Sequence, residues 1–327
     1  MRTLILSRSE VDSLLDMKSV LTAVEGAYRE KGEGTVQMPP KQYLFYPKYN
    51  GDLRTMPSYL SGLDKTGVKI VNVHPDNPKK HHIPSVMAVI VLVEPATGAP
   101  LSIMDGTRIT AFRTGAGCGI ATGHLSRKDS TTLALIGAGV QAYSQLAAIN
   151  EVREVEKLKV YDVDAQRVDA LINRAEKAFP LDFIKCDDVR SCVQDSDIIS
   201  TQTPVRKPIV KEEWISPGTH INAVGADAPG KEELEPALLK KSKIIIDDWA
   251  QASHSGEINV PLSRGLIRRE DVYGEIGEIV AGKKKGRASK DEITIFDTTG
   301  LSIQDVATAS LVYERATRES VGLYIDF

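Results

Sequence analysis

Cysteine is scarce in this chain. Cys118, Cys186 and Cys192 are the only three, and no two of them form a C-x-x-C pair. An odd count at such spacings offers neither a disulfide framework nor a cysteine-rich zinc site, and it suits a reducing compartment. His74, His81 and His82 have no metal-ligand spacing either, so no metal is expected. Long apolar runs are also missing. The longest, Val86–Val93, is strand-sized and falls far short of the ~20 residues that span a bilayer. The first residues offer only the run from Thr3 to Leu6, too short for the apolar core of a secretion signal. A cytoplasmic protein with no membrane partner is therefore expected. Charge of one sign is not in surplus: 41 Lys and Arg face 44 Asp and Glu, a net of -3. Neutralising a phosphate backbone needs a positive excess, so nucleic acid is excluded as a partner.

What is present is globular. The 327 residues are 42% hydrophobic and 26% charged, enough to bury a core and, at this length, to build about two domains. Up to about residue 105, one or two helices (9–31) are followed by extended runs at 41–46, 53–59, 68–73, 86–93 and 100–104, with turn signals such as Asn50-Gly51 and Asn77-Pro78 between them. That pattern predicts a mostly antiparallel α+β unit. From about residue 132 strands and helices alternate, with strands at 133–136, 157–162, 198–201, 220–224 and 244–247. This alternation predicts a parallel sheet covered on both faces. The expected class is therefore α/β, a Rossmann-type doubly wound sheet plus an α+β N-terminal domain. Between the two parts, 108–125 reads as a helix carrying Gly115, Gly117 and Gly119. Each glycine costs roughly 1 kcal/mol there, which points to a close approach by a neighbour. A final helical run at 301–317 is placed to return to the first domain.

The strongest local signal is Leu133-Ala-Leu-Ile-Gly137-Ala138-Gly139-Val140-Gln141-Ala142, a buried strand entering G-x-G-x-x-A and then a helix. Gly137 permits the tight turn and Gly139 lets the backbone approach a pyrophosphate. Ala142 lets helix pack on strand, and the helix N-terminus attracts the phosphates. Asp162 ends the next strand, about 20 residues on as the fingerprint requires, placed to accept from a ribose 2′-OH. Its charge would repel a 2′-phosphate, which favours NAD over NADP.

The first domain carries cations inside apolar strands. Lys69, in Gly67-Val-Lys-Ile-Val-Asn-Val73, shares a face with Val71 and Val73. Desolvation of an amine there would lower its pKa towards neutrality and suit it to general acid/base work on an amine or imine. Arg54, in Leu53-Arg-Thr-Met-Pro57, and Lys41, after Met38-Pro-Pro40, stand in similar runs. The three could converge on one small carboxylate, with the planar fork of Arg54 gripping it. Asp227 and Lys231, four apart after a strand, read by spacing as a solvated pair in a turn.

Seven segments in chain order, Gly51-Asp-Leu-Arg-Thr-Met-Pro57, Lys69-Ile-Val-Asn-Val-His-Pro75, Phe112-Arg-Thr-Gly115, Ile136-Gly-Ala-Gly-Val-Gln141, Asn222-Ala-Val-Gly-Ala-Asp227, Pro229-Gly-Lys231 and Phe296-Asp-Thr-Thr-Gly300, together resemble the ornithine cyclodeaminase/mu-crystallin family over nearly the whole chain. Within it the pattern is most similar to the archaeal-type L-alanine dehydrogenases. The resemblance implies a discontinuous substrate-binding and dimerisation domain, 1–115 plus 300–327, and a NAD-binding domain over 116–299. It implies a homodimer paired through the N-terminal sheets. It also implies NAD contacts from Ser85, Arg113, Gly137, Gly139, Val140, Gln141, Asp162, Thr203, Ala223, Val224, Gly225, Lys231 and Thr298. Lys69 then matches the proton donor and acceptor, Lys41 and Arg54 the grip on the substrate carboxylate, Thr299 a further substrate-binding residue, and Asp227 the base of the cyclodeaminases.

The implied activity is NAD-dependent interconversion of L-alanine with pyruvate and ammonia. Reduction of cyclic imino acids such as pyrroline-2-carboxylate, cyclisation of ornithine, and non-catalytic binding as in mu-crystallin stay open as alternatives. Cyclodeaminases that resemble this chain carry Glu where Arg54 stands. A cation at about 4 Å from an ornithine ammonium costs several kcal/mol in a partly buried site, which favours substrates with short, uncharged side chains.

Overall fold

The computed structural model describes residues 2–326. Along the chain it forms β1 (Arg2–Leu6), α1 (Arg8–Ser13), α2 (Met17–Glu33), β2 (Val36–Gln37), β3 (Gln42–Tyr46), β4 (Gly51–Leu60), β5 (Lys65–Val73), α3 (Asn77–Lys80), β6 (Val86–Val93), β7 (Pro100–Asp105) and α4 (Gly106–Leu125). It continues with β8 (Thr132–Ile136), α5 (Val140–Val152), β9 (Lys157–Tyr161), α6 (Ala165–Ala175), β10 (Asp182–Lys185), α7 (Val189–Val193), β11 (Ile198–Thr201), β12 (His220–Ala223), α8 (Pro236–Lys241) and β13 (Lys243–Ile246). The last elements are α9 (Trp249–Ser255), α10 (Asn259–Ser263), β14 (Val272–Glu275), α11 (Ile276–Val280), β15 (Thr294–Asp297), α12 (Ser302–Glu319) and β16 (Leu323–Asp326). Two compact units result, Met1–Arg113 with Leu301–Phe327, and Thr114–Gly300.

The first unit is a sheet in the order β16-β1-β7-β6-β5-β4-β2, with β3 also on β4. Every pairing is antiparallel except β1 with β7. Two long helices, α2 and α12, pack on each other, and α12 lies on β4, β5 and β6. The apolar residues Met17, Val20, Val24, Ala27 and Tyr28 of α2 recur at helical spacing and are buried, which is the amphipathic stripe such a helix turns to its core. Asp16 caps its start by accepting from the Ser19 amide at 2.9 Å, and Gly34 ends it in the left-handed region at φ +83°. Strand alternation does the rest: Arg54, Met56, Ser58 and Leu60 of β4 point under the helices.

The sequence pattern of β5 looked apolar on both sides, yet burial is one-sided. Lys69 and Val71 are buried, whereas Val68 and Ile70 are only partly covered. Val68 and Ile70 lie on the face opposite the one that α12 covers.

The second unit is a sheet in the order β10-β9-β8-β11-β12-β15-β13-β14, parallel throughout. Strand order reverses between β8 and β11, and in such sheets ligands bind beyond the carboxyl ends of the strands at that switch point. One apolar cluster packs on each side, one around Leu133, Leu135 and Leu146, the other around Ile136, Ile199 and Ile221. The glycine-bearing helix expected near 108–125 is α4, and the close neighbour is α5: a Cβ on Gly115 would run into the Ser144 backbone.

Candidate active site

In the first unit the site grows from two adjacent strands and two helices. β4 and β5 pair so that Met56 lies opposite Lys69 and Arg54 opposite Val71. Arg54 and Lys69 are thus diagonal neighbours on the buried face. Lys69 is 1% exposed and its Nζ lies 2.7 Å from Asp305 Oδ2, on α12. The other oxygen of Asp305 accepts from Arg113 Nε at 2.9 Å. Burial, the Arg113 charge and, more weakly, the Lys41 charge push the Lys69 amine down to about 7, while Asp305 acts the other way. Arg113, near the middle of α4, also donates to Gln304 Oε1 at 3.2 Å, and Gln304 donates to the Tyr28 hydroxyl at 2.8 Å.

Arg54 is buried as well. Its Nε and a terminal nitrogen reach the two oxygens of Asp52 at 2.8 and 3.1 Å, and it lies 5.3 Å from the Tyr43 ring on β3. The bidentate contact fixes the plane of the guanidinium. Lys41 stands just before β3, half-buried. Four cations, Lys41, Arg54, Lys69 and Arg113, thus face two carboxylates, Asp52 and Asp305.

In the second unit the residues of the fingerprint meet at the strand ends. Gly137 follows β8 with φ +98°, a conformation that disfavours any residue with a Cβ. Its amide donates to the Tyr161 carbonyl at 2.8 Å, and its carbonyl accepts from the Gln202 side chain at 2.6 Å. Asp162, directly after β9, accepts from the Ala138 amide at 2.7 Å and the Asp164 amide at 2.9 Å, so it shapes the turn it serves. Gly139 caps α5, and a Cβ there would meet nothing. The space in front of the helix start is therefore open, with room for a group to approach the Gly139 backbone. Val140, the first residue of α5, is 76% exposed, with Gln141 next to it.

The remaining expected residues fall into place by element. Ala223 ends β12 and is buried, and the Val224 amide donates to the Thr201 carbonyl at 2.9 Å. Thr203 and Gly225, which follow β11 and β12, both donate to Glu233. Thr298 and Thr299, after β15, bind Asp247 through the Thr298 hydroxyl at 3.0 Å and the Thr299 amide at 2.6 Å. Asp227 and Lys231 form an ion pair of 2.5 Å and are partly buried. Ser85 precedes β6 in the first unit, where its carbonyl accepts from the His74 amide at 2.7 Å. Among the described residues no cluster of metal-ligating side chains occurs.

Sequence reasoning missed the acids that hold these groups: Asp52 and Asp305 in one unit, Glu233, Glu257, Asp247 and Asp297 in the other. Asp305 carried a signal, a carboxylate among the apolar positions Ile303, Val306 and Ala307. Asp297 sat inside a quoted motif. Glu233 and Glu257 offered no local clue.

A doubly wound parallel sheet, a positive-φ glycine at its switch point and an acid after the second strand define a dinucleotide-binding protein of the oxidoreductase type, and the residues present fit NAD. The chain belongs to the ornithine cyclodeaminase/mu-crystallin family, which it matches over residues 1–320. Alanine dehydrogenase of Archaeoglobus fulgidus is 49% identical over 328 residues, covering 100% of this chain and 99% of that one. An archaeal alanine dehydrogenase dimer solved with bound NAD is 48% identical, covers 100% of both chains and has a TM-score of 0.96. The Δ(1)-pyrroline-2-carboxylate reductase of Thermococcus litoralis, solved with NADH and L-proline, is 42% identical, covers 98% of this chain and 99% of that one, and has a TM-score of 0.95.

Proposed function

We propose that this chain is a NAD-dependent L-alanine dehydrogenase that interconverts L-alanine with pyruvate and ammonia. The observation that carries the reading is the fully buried Lys69 amine, paired with the Asp305 carboxylate that also holds Arg113, and held at about 7. A group at that value exchanges protons readily at neutral pH. Bound NAD supplies the two-electron acceptor and donor. The chain supplies the rest. Arg54 and Lys41 hold the substrate carboxylate, with Thr299 as a further contact. Lys69 Nζ takes the proton that the substrate ammonium gives up as the Cα–H hydride leaves and the C–N bond becomes double; water then adds to the imine carbon and ammonia leaves, and reductive amination runs the same steps in reverse. Asp227, paired with Lys231, is the second acid/base group. Gly137, Gly139, Val140, Gln141, Asp162, Thr203, Ala223, Val224, Gly225, Lys231 and Thr298 receive the cofactor, along with Ser85 and Arg113.

The pairing of Arg54 with Asp52 tempers the argument from repulsion of an ornithine ammonium, because the pair is neutral as a whole. Lys69 and Arg113 share the single carboxylate of Asp305, which still disfavours a second cation on the substrate. We also infer a homodimer paired through the outer face of the first sheet. Val68, Ile70, Val91 and Ile103 are half-buried on that face and Val89 is 44% exposed, an apolar row of the kind that marks an interface. The compartment we propose is the cytosol, where the three cysteines, none in a disulfide, stay reduced. No helix among the described residues is long and apolar enough to cross a membrane.

The test is NADH oxidation by pyruvate with and without ammonium, beside pyrroline-2-carboxylate alone. Turnover of pyruvate that requires ammonium supports the assignment. A cyclic imine reduced far faster than pyruvate, with ammonium present, would give the chain to imine reduction instead, a reading favoured by its similarity to the Thermococcus reductase.

A further inference from the structure

We propose that Glu233 is the positioning residue of the cofactor rim: its buried carboxylate fixes the spacing between the loops that follow β11 and β12. The inference rests on the dinucleotide reading of the second unit and adds a residue that reading does not use.

Four donors converge on this one side chain. Oε1 accepts from the Thr203 amide and the Thr203 hydroxyl, each at 2.7 Å. Oε2 accepts from the Thr201 hydroxyl and the Gly225 amide, each at 2.8 Å. Thr201 ends β11 and Thr203 follows it, and Gly225 lies just past β12. Glu233 is not exposed at all. Each oxygen faces one backbone N–H, a group that donates and cannot accept. Only a carboxylate, an acceptor at both oxygens, satisfies the set. Burial raises the pKa of Glu233, and the hydrogen bonds from Thr201, Thr203 and Gly225 oppose that rise. The space is closed too. A Cβ on Gly225 would meet the Thr203 carbonyl oxygen and the Glu233 carboxyl group, so the two loops touch through this contact.

Glu233 is itself held. Its amide and that of Leu234 donate to the buried Glu257 carboxyl group, at 2.9 and 2.7 Å. The Ile258 amide, one residue further on, donates to Asp297 Oδ2 at 3.1 Å. Three buried acids thus stand in series: Asp297 accepts from the backbone next to Glu257, Glu257 from the backbone of Glu233, and Glu233 from the loops that follow β11 and β12. Those strand ends are where the sheet presents its ligand site. A solvated acid with one partner would tolerate movement, whereas this arrangement does not.

Glu233→Gln keeps the shape and removes the second all-acceptor oxygen. Either orientation of the amide sets its NH2 against the Thr203 or the Gly225 N–H, so one loop must move. The expected result, by fluorescence titration with NADH, is a dissociation constant raised about tenfold or more. In the assay with pyruvate and ammonium, KM for NADH rises similarly while KM for pyruvate stays within twofold. Thr201→Val, which removes the hydroxyl that donates to Glu233 Oε2 at a residue with no part in cofactor contact, should give a smaller rise of the same kind, and it stands in should Glu233→Gln not fold. A lowered melting temperature with NADH binding within twofold of wild type in both variants would reduce Glu233 to a fold-stabilising residue and overturn the proposal. Wild-type protein that binds neither NADH nor NADPH overturns the dinucleotide reading as well, so the two failures are told apart.

Discussion

Asp305 and Lys69 form an ion pair of 2.7 Å whose two side chains are 0% and 1% exposed. The same carboxylate holds Arg113 at 2.9 Å, so one anion orients two cations. Asp305→Asn keeps the shape and removes the charge. Lys69 then loses the neighbour that opposes its downward shift, and its pKa falls below about 7. The acidic limb of kcat/KM for alanine oxidation should move to lower pH, and the fold should lose about 3 kcal/mol because the buried Arg113 cation loses its carboxylate. A limb that stays in place would show that another group titrates there.

Lys69 itself sets opposite pH dependences for the two directions. Oxidation needs the neutral amine, so its kcat/KM rises with pH through about 7, and reductive amination needs the ammonium form and falls across the same range. Lys69→Ala should lower kcat by roughly 10² to 10⁴ with NADH binding near wild type. Turnover within a few-fold of wild type would remove Lys69 from the proton path.

Asp162 has two tasks, since its oxygens accept from the Ala138 and Asp164 amides. In Asp162→Asn one of those amides faces an NH2 group. The expected outcome in binding titrations is NADH affinity lowered about tenfold, with NADPH affinity lowered less because the repulsion of a 2′-phosphate is relieved. Equal losses for both dinucleotides would mean that the acid shapes the turn without selecting the ribose.

His220 sits wholly buried between Thr294 Oγ1 at 2.9 Å and Asn222 Oδ1 at 3.2 Å. Burial, with the Arg287 and Arg153 charges, holds its imidazole at about 3. The folded value lies below the unfolded one of ~6.5, so protons bind the unfolded chain preferentially and stability falls as pH drops from about 6.5 towards 3. At pH 5 the loss from this group is about 2 kcal/mol. His220→Asn should melt lower than wild type at pH 7 and show a shallower further fall by pH 5, measured by calorimetry.

The dinucleotide cradle was readable because its parts are contiguous: strand, glycine turn and helix follow one another, and Asp162 closes the next strand. Lys69 and Arg54 were readable as cations in apolar runs, a local conflict between charge and burial. Their partners were not. Asp305 reaches Arg113 from 192 positions away, and no periodicity links a carboxylate in one helix to an amine in a distant strand. Asp52 is close in sequence to Arg54 and shares its face of the strand, yet beside the Asn50-Gly51 turn an acid reads as an ordinary solvated turn residue. Glu233 and Glu257 lie in irregular segments without a pattern to interrupt. The one-sided covering of β5 also escaped the sequence, because a half-exposed apolar face and a buried one are spelled with the same residues.

The discontinuous make-up of the first unit bears on biosynthesis. Its sheet leaves the ribosome early, whereas α12, which covers β4 to β6 and carries Asp305, is synthesised after the whole of Thr114–Gly300. At ~5–20 residues per second, that lag lasts many seconds. Through it the nascent sheet exposes the face bearing Lys69, with neither its roof nor its counter-anion. The second unit, contiguous in the chain, has no such wait. Vectorial folding therefore completes the nucleotide fold first, and the amine acquires its environment only with the last turns of helix.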